Sequence, residues 1–488
     1  MLAVASRLVL VWRFANALCN LRLKVEPVLH GHGHSLAGAW HLWLRIPVHF
    51  KCQERRLLRL MVGTGNSKKG SVIIVGGGIA GLAAARELGR VGLPVTLVEA
   101  AERLGGRIHT VHQGSLPIEL GAEFIHGRSE LLVRALKAAR LATSVVPGSS
   151  HLARNGGLAR IDFWQDVEEL IGRIPADGPD CSFAAFLARA RIRPPLSDWA
   201  RGFVEGFNAA DAARISAQSV LKAQRSAERM DGDWQGRVRR GYGALIGFLE
   251  REASAAGVTL VRGAAVRQMD WAPGRVEVHW RSGGRAGTER AAAAVITLPL
   301  GVWQARAVSF RPPLRDKAAV ARELLLGQVR KLTLVFRERW WPRSGSGFVH
   351  APGERVPTWW GDPRGAALTG WAGGPKAEEL MPLTVKQMER VYLETLARIF
   401  SVRISSLRRR LVAAHSYNWS ADPNFGGAYS YLPVNGLDLP ALLAAPVAET
   451  LFFAGEATTL DAQMGTVFGA YETGLRAAGE VLRSYRRH

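Results

Sequence analysis

The chain contains the run Val72-Ile73-Ile74-Val75-Gly76-Gly77-Gly78-Ile79-Ala80-Gly81, and later the run Val95-Thr96-Leu97-Val98-Glu99. Each run begins with four residues typical of a short parallel strand that is buried on both faces. Between the two runs, residues 80–91 carry apolar side chains at helical spacing. The order of strand, glycine turn, helix and strand predicts a βαβ unit, and therefore an α/β fold with a Rossmann-type domain.

The glycine turn matches the pattern G-x-G-x-x-G through Gly76, Gly78 and Gly81. In this pattern the first glycine turns the chain, the second admits a pyrophosphate, and the third lets the helix contact the strand. The peptide N–H groups of Ile79 and Ala80 then begin a helix whose N-terminus favours phosphate. Together these features predict a dinucleotide site.

An acidic residue ends the second strand of this unit. Glu99, with Ala100 beside it, stands where a carboxylate accepts hydrogen bonds from a ribose diol and repels a 2′-phosphate. The strand, the helix and the acid are therefore in register for an adenosine half that lacks a 2′-phosphate.

Composition excludes several classes of protein. The 488 residues are 48% hydrophobic and 22% charged, which is an ordinary globular balance rather than that of a disordered or fibrous chain. The formal net charge is +23, but residues 1–70 hold eleven Lys/Arg against two acids, and arginines are scattered singly through the rest. This distribution argues against a dedicated nucleic-acid surface.

The cysteine content indicates the redox compartment of the protein, and the hydropathy indicates whether the chain crosses a membrane. Cys19, Cys52 and Cys181 are few and scattered, which argues against a disulfide framework or a metal site and fits a reducing, cytoplasmic compartment. No apolar run reaches about 18 residues without a charge, so no membrane-spanning helix is predicted.

Residues 1–69 differ from the remainder of the chain. They hold five histidines, and neither a helical nor a strand period is clear. We interpret this segment as a basic N-terminal extension, either disordered or the product of a mis-assigned start, and we predict a mature start near Met61.

The remaining elements follow from local patterns. Residues 160–250 and 376–400 are predicted to be mainly helical, and residues 258–300 contain three short β-type runs. Val329 to Phe336 predicts a strand, and a final helix is expected from about Gly465 to Leu482. Small residues on one face of that helix predict very close backbone packing.

A second glycine pair indicates that the dinucleotide is FAD rather than NAD. Arg103-Leu104-Gly105-Gly106-Arg107 follows the ribose acid directly, and Arg107 supplies a guanidinium for the pyrophosphate. With this motif the sequence resembles the flavin-dependent amine oxidase superfamily, which comprises monoamine, polyamine and L-amino-acid oxidases and histone demethylases.

Further segments resemble the family in the same order along residues 70–485. The flavin-side segment of polyamine oxidases resembles residues 119–127, and the family's adenine-binding strand and C-terminal flavin motif resemble residues 263–266 and 451–470. The resemblance implies that FAD contacts Gly121, Ala122, Glu123, Val266, Trp419, Gly455, Glu456, Gly465, Thr466 and Val467. Of these, Glu456 would hold ribityl or pyrophosphate hydroxyls, and the N–H group of Val467 would face the flavin.

Three side chains carry the implied chemistry. The resemblance places His126 in the substrate tunnel and Tyr429 on one wall of the aromatic cage, with Thr466 opposite where monoamine oxidases carry a tyrosine. Lys331 matches the lysine that holds a water at flavin N5, and a buried lysine is suited to proton exchange there. Ala428 stands where monoamine oxidases carry the cysteine bonded to flavin, so we predict non-covalent FAD.

The resemblance implies a two-domain architecture. Residues 70–127, 241–300 and 446–488 would form the Rossmann-type FAD-binding domain, and residues 128–240 and 301–445 would form a mixed α+β substrate-binding domain. The implied reaction transfers a hydride from the α-carbon of an amine to flavin N5, the resulting imine hydrolyses in water, and O2 reoxidises the cofactor to give H2O2. The expected partners are a small-molecule amine and O2, with no metal, no nucleic acid and no membrane anchor, because the chain ends without an apolar helix. The oligomeric state does not follow from the sequence.

Two alternatives remain open at this point. A flavin desaturase or porphyrinogen oxidase with a bulky apolar substrate shares the glycine and arginine motifs, and a non-catalytic, nucleic-acid-binding flavoprotein is the second. The amine also stays open: Glu123, Glu205, Asp211 and Asp233 are candidate acids for a polyamine, whereas an amino acid would need an arginine, and a single monoamine would need neither.

Overall fold

The computed structural model describes residues 70–487, except residues 147 and 155. The predicted N-terminal extension, residues 1–69, and the predicted start at Met61 lie outside the described residues. Within the described ranges, no helix combines the length and the apolar character needed to cross a bilayer.

In chain order, the described strands are β1 (Val72–Val75), β2 (Val95–Val98), β3 (Thr110–Gln113), β4 (Leu116–Glu119), β5 (Ile125–His126), β6 (Thr143–Val145), β7 (Ser150–Arg154), β8 (Gly157–Ile161), β9 (Gln235–Val238), β10 (Thr259–Val261), β11 (Ala265–Ala272), β12 (Arg275–Ser282), β13 (Arg285–Ala291), β14 (Ala293–Ile296), β15 (Ser309–Arg311), β16 (Leu325–Leu326), β17 (Val329–Phe336), β18 (Phe348–His350), β19 (Thr358–Gly361), β20 (Ala367–Gly373), β21 (Leu411–His415), β22 (Ser430–Tyr431) and β23 (Leu451–Phe453). The described α-helices are α1 (Ile79–Arg90), α2 (Glu130–Ala138), α3 (Trp164–Gly172), α4 (Phe183–Arg189), α5 (Leu196–Phe207), α6 (Ala217–Glu228), α7 (Gly243–Ala255), α8 (Leu300–Gln304), α9 (Arg315–Glu323), α10 (Pro375–Glu378), α11 (Val385–Ile399), α12 (Ile404–Arg410), α13 (Leu439–Ala444) and α14 (Val467–Arg487).

A five-stranded parallel sheet carries the predicted βαβ unit. Its strand order is β10-β2-β1-β14-β23, and all four residues of β1 are buried. Helices α1, α7 and α14 pack together beside this sheet. Because both faces of β1 are covered, its unbroken apolar run is the pattern expected of such a strand. The α/β prediction is confirmed.

The last helix packs on the first as its small residues predict. A Cβ on Gly474 of α14 would lie 2.1 Å from the carbonyl oxygen of Ala80 in α1, so only glycine permits this approach. The N-termini of both helices consequently meet the same cavity, which is described below.

A seven-stranded mixed sheet forms the second layer of strands. Its order is β21-β17-β20-β19-β18-β7-β8, and every residue of β17 is buried. Cross-strand pairing puts Lys331 opposite Trp371, and Thr333 opposite Thr369, which in turn pairs with Trp360. Since paired residues share a face, Lys331 and Trp360 both project to one side of this sheet.

Two helical predictions need correction in detail. The helix predicted over residues 376–400 is two helices, α10 and α11, because the segment Leu380 to Thr384 contains Pro382 and the capping residue Thr384. The region 160–250 is largely helical, but strand β9 interrupts it and pairs with β5 and β6.

Candidate active site

Residues of both sheets line one continuous cavity of about 2330 Å³. Every catalytic or cofactor-binding residue that the sequence predicts lines it, with the exception of Gly81. A Cβ on Gly81 would lie 1.9 Å from the carbonyl oxygen of Gly76, so this glycine serves the contact between helix and strand that its motif position predicts.

The glycine turn leaves room where a phosphate would bind. A Cβ on Gly78 would meet only the Cα of Gly106, at 4.0 Å, and a Cβ on Gly455 would meet nothing within 4 Å. Gly78 caps helix α1 without a side-chain hydrogen bond, so the first N–H groups of the helix have no side-chain partner from their cap residue. These glycines and helix ends fit a dinucleotide phosphate.

Glu99 is buried at the end of β2. One of its carboxylate oxygens accepts the N–H of Gly77 at 2.5 Å, and the other accepts the N–H of Ala101 at 2.8 Å. Burial raises the pKa of this carboxyl, while these N–H bonds oppose the rise. Each oxygen keeps a second lone pair, so the ribose contact that the sequence predicts remains available to it.

Glu456 connects three parts of the cavity wall. Its Oε1 accepts from Arg107 at 3.0 Å, and its Oε2 accepts from the Ser430 hydroxyl at 2.6 Å and the Gly465 N–H at 3.1 Å. Arg107 also donates to the carbonyl of Ala428 at 2.7 Å. The sequence assigned Glu456 to cofactor hydroxyls, and the structure adds that this carboxylate holds the loops around the cofactor site.

Helix α14 begins at the cavity. The Thr466 hydroxyl accepts the N–H of Gly469 at 3.0 Å, as a capping residue does, and Val467 opens the helix. Gly465, before the cap, has φ +72°, and its missing Cβ leaves room for the ring of Tyr429. The helix dipole therefore points its positive end into the cavity.

The side chain of Lys331 forms a buried ion pair. Its ammonium donates to Glu123 Oε2 at 2.7 Å and to the carbonyl of Gly121 at 3.2 Å. The other oxygen of Glu123 accepts from Arg237 Nε and from Trp360 Nε1, both at 2.9 Å. Burial would raise the pKa of Glu123, but Lys331 and Arg237 lower it to about 2.

A second buried carboxyl lies near this ion pair. Glu119 accepts hydrogen bonds from the Thr110 hydroxyl at 2.7 Å and from the Tyr242 N–H at 2.6 Å. Burial raises its pKa to about 7, although both bonds and the nearby Lys331 favour the ionised form. Sequence reasoning did not select Glu119 as a titrating group, because nothing local to its motif reveals that its side chain is enclosed.

His126 and Tyr429 are brought to the same part of the cavity through Phe207. The ring of His126 meets that of Phe207 edge-on at 5.1 Å, and the Tyr429 hydroxyl donates to the Phe207 carbonyl at 2.7 Å. Burial lowers the pKa of His126 to about 4, so this imidazole is neutral at physiological pH. Trp419 lies deeper, with its indole N–H bonded to the carbonyl of Leu120 at 3.0 Å.

Aromatic rings form a closed circuit along the cavity wall beyond His126. Neighbouring ring centroids lie 5.1 to 6.4 Å apart, and all the rings line the cavity. In order around the circuit they are Phe124, His126, Phe207, Phe203, Trp164, His350 and Phe348. This wall suits an apolar or cationic chain.

Acidic residues line another part of the cavity. The pKa of Glu168 is raised by burial and then by the negative charges of Asp233, Glu228 and Asp162. Of these four acids, Glu168, Glu228 and Asp233 line the cavity, as does Asp231. All the acids that line this part of the cavity are exposed, and Asp231 is paired with Arg128 at 3.2 Å. Glu168, Glu228 and Asp233 therefore form a local cluster of negative charge on the cavity lining.

The acids that the sequence singled out separate into different places. Glu123 is used by the Lys331 ion pair, Asp233 belongs to the acidic group, and Glu205 lines the cavity with Arg201 at 3.7 Å. Asp211 does not line the cavity. Among the described residues, no three His, Cys, Asp or Glu side chains are grouped as metal ligands.

Comparisons with known proteins agree with this geometry. The family model of flavin-containing amine oxidoreductases matches residues 79–176 and 177–482. Polyamine oxidase 3 of Oryza sativa subsp. japonica is 30% identical over 449 residues, which cover 84% of this chain and 88% of that protein. Polyamine oxidase 2 of Arabidopsis thaliana is 30% identical over 447 residues, covering 84% and 87%. The solved structure of cyclohexylamine oxidase from Brevibacterium oxydans has a TM-score of 0.71 at 22% identity, and the match covers 86% of this chain and 100% of that one.

Proposed function

The chain belongs to the flavin-containing amine oxidoreductases, and we propose that its substrate is a diamine or polyamine. As an FAD-dependent amine oxidase it shares the reaction of this family, and the alternative of a desaturase or porphyrinogen oxidase is not favoured.

The main support for this substrate class is the acidic group of the cavity, by which we mean the four acidic residues named in the next sentence. Glu168, Glu228, Asp231 and Asp233 line one region, whereas aromatic rings line the stretch towards His126. A polyamine has cationic groups separated by methylene chains, so it complements both regions at once. The polyamine oxidases among the relatives support this choice of substrate class.

FAD would occupy the cradle formed by the two helix ends. The first turn of α1, with Gly76 and Gly78, would bind the pyrophosphate, and Glu99 with Ala100 the adenosine ribose. The rest of the cofactor would contact Arg107, Gly121, Ala122, Val266, Trp419, Gly455, Glu456, Gly465, Thr466 and Val467, all of which line the cavity. Because Ala428 has no sulfur, we propose that the FAD is not covalently bound.

Bound FAD supplies the hydride acceptor for the α-carbon of the amine. The protein's own residues orient the substrate and exclude water. Neutral His126 and the Tyr429 ring border the space for the reacting amine, and neither adds a positive charge that would repel a cationic substrate. We further propose O2 as the final acceptor, with Lys331 serving the oxidative half-reaction.

We also propose a domain division and a location for this protein. The strands of the parallel sheet come from residues 72–98, 259–296 and 451–453, which supports the division into a discontinuous FAD-binding domain and a substrate-binding domain over residues 128–240 and 301–445. We also propose a cytoplasmic location, because the sequence has only three scattered cysteines.

Neutralising the acidic group tests the substrate class. We expect the double variant Glu168→Gln/Asp233→Asn to raise KM for spermidine about 10-fold at low ionic strength, since two exposed charges near a cationic substrate contribute about 0.7 kcal/mol each. Steady-state kinetics with a monoamine of similar length, such as hexylamine, should change less than 2-fold. The control Glu338→Gln removes an exposed charge outside the cavity and should change neither KM. Equal effects on both amines would contradict the proposal.

A further inference from the structure

We propose that Glu123 is a positioning residue that fixes the ammonium group of Lys331 as a cation at the cavity wall. The inference rests on the proposed oxidative role of Lys331 and deepens it. The sequence predicts that Glu123 contacts the cofactor or belongs to an acidic tunnel, and the structure adds that its carboxylate accepts hydrogen bonds from three side chains of the protein.

The contact is enclosed on both sides. The side chain of Lys331 is 5% exposed and that of Glu123 is 8% exposed, and their charged atoms lie 2.7 Å apart. A buried ion pair is held strongly only when further hydrogen bonds complete it. Here the ammonium also donates to the Gly121 carbonyl, and the carboxylate also accepts from Arg237 and Trp360.

Glu123 cannot easily turn away from Lys331. Arg237 and Trp360 both donate to its Oε1, which leaves Oε2 directed at the ammonium. Arg237 is itself fixed, because its side chain is 2% exposed and its guanidinium lies 4.6 Å from the centroid of the Phe124 ring. The carboxylate is therefore preorganised before any ligand enters.

The geometry leaves one ammonium donor for the cavity. Lysine has three N–H donors, and the two acceptors found among the described residues use two of them. Lys331 lines the cavity, so the third can serve a water or oxygen species there. O2 takes up two electrons from the reduced cofactor and two protons to become H2O2. A fixed cation stabilises the negative charge that develops on oxygen during this transfer.

Other charged groups face this ion pair, and their titration must be distinguished from the effect of Glu123 in any pH experiment. Glu119 interacts with both Lys331 and Glu123, and Arg364, paired with Asp362 at 2.6 Å, faces both carboxyls. Glu119 titrates near pH 7, whereas the proposed effect of losing Glu123 appears at higher pH. The two contributions are therefore separable along the pH axis.

The first experiment compares half-reactions of the FAD-loaded enzyme by stopped flow. Glutamine at position 123 can still accept from Arg237 and Trp360 through Oε1, but it presents an amide to Lys331. The buried amine of Glu123→Gln then loses its proton more readily. We expect reoxidation by O2 to fall at least 10-fold at pH 9 and less than 3-fold at pH 6.5, with flavin reduction by amine changed less than 3-fold. Glu123→Asp should restore most of the rate at pH 9.

Two controls distinguish positioning from general damage. Thr333→Val perturbs the same strand without touching the ion pair, and its reoxidation should have the same pH profile as the wild type. Lys331→Met should be slow at every pH. If Glu123→Gln reoxidises with the wild-type pH profile, or if both half-reactions decline together at all pH values, the proposal is wrong.

The second experiment needs no turnover. Brief labelling of the apoprotein with acetic anhydride at pH 8, followed by peptide mass spectrometry, reports the neutral fraction of Lys331. We expect labelling of Lys331 to be at least 10-fold faster in Glu123→Gln than in the wild type, with Lys376 unchanged as an internal reference. Equal rates would overturn the inference. Because no amine is oxidised, a failure here is distinct from a failure of the proposed function.

Discussion

Adding one methyl group at Gly78 should weaken cofactor binding without unfolding the protein. The backbone at Gly78 has φ −69° and ψ 178°, which alanine adopts without strain. The new Cβ would meet only the Cα of Gly106, at 4.0 Å, so the stability of the apoprotein should change by less than about 1 kcal/mol. The methyl group instead occupies the place where the pyrophosphate approaches the helix.

The expected loss follows from the hydrogen bonds at stake. A bond from a peptide N–H to a charged group contributes about 1.5–3 kcal/mol. Displacing the pyrophosphate from one N–H group should therefore weaken FAD binding at least about 10-fold, and displacing it from two should weaken binding at least about 100-fold. FAD fluorescence quenching on titration of the apoprotein measures this directly, and thermal unfolding of the apoprotein checks the fold.

Two variants frame the result. Gly172→Ala places a methyl group in open space outside the cavity and should retain wild-type FAD affinity. In Gly81→Ala the Cβ would lie 1.9 Å from a backbone oxygen, so this variant should lose about 3 kcal/mol of stability or more. Wild-type FAD affinity in Gly78→Ala would refute the assignment of the cradle.

Four further outcomes are expected. Lys317→Met should lower the free energy of unfolding by about 2 kcal/mol, measured in urea, because the Lys317 ammonium donates to three carbonyls at the end of α13. Burial raises the pKa of Glu119 to about 7 from an ordinary value of 4.5, so between these pH values the folded state keeps a proton that the unfolded state has lost. The stability associated with this proton is fully present below pH 4.5 and is lost as the pH rises to about 7. Glu119→Gln should therefore gain about 1–3 kcal/mol relative to wild type between pH 4.5 and 8 in pH-dependent unfolding. Acid precipitation should release all flavin into the supernatant, because Ala428 forms no thioether, and flavin in the pellet would contradict this. Lys331→Met should slow reoxidation by O2 more than 10-fold in stopped flow, and an unchanged rate would remove its proposed role.

The sequence predicts those parts of the fold whose determinants are local. The strand, glycine turn and helix around Gly78 follow one another within about twenty residues, so periodicity and glycine spacing suffice to identify them. The break between α10 and α11 was missed because overall helical periodicity outweighed a proline and a capping threonine. Close packing of α14 on α1 was predictable from small residues on one face, although its partner was not.

The candidate site is only partly predictable for the same physical reason. The resemblance of its strand to the family's identifies Lys331, but its partner Glu123 lies 208 residues away, and Arg237 and Trp360 lie 114 and 237 residues from Glu123. No periodicity or motif spacing connects such positions. Only the pairing of β17, β20 and β19, and of β5 with β9, brings these side chains together.

The most direct test of the account is the visible spectrum of the FAD-loaded protein, followed anaerobically as spermidine, putrescine, hexylamine or an L-amino acid is added. The account predicts that spermidine or putrescine bleaches the flavin band, that hexylamine does so much more slowly, and that air restores the colour with release of H2O2. A flavin band that polyamines leave unchanged while a monoamine or an amino acid bleaches it would contradict the proposed substrate, and a flavin that no amine reduces would contradict the account as a whole.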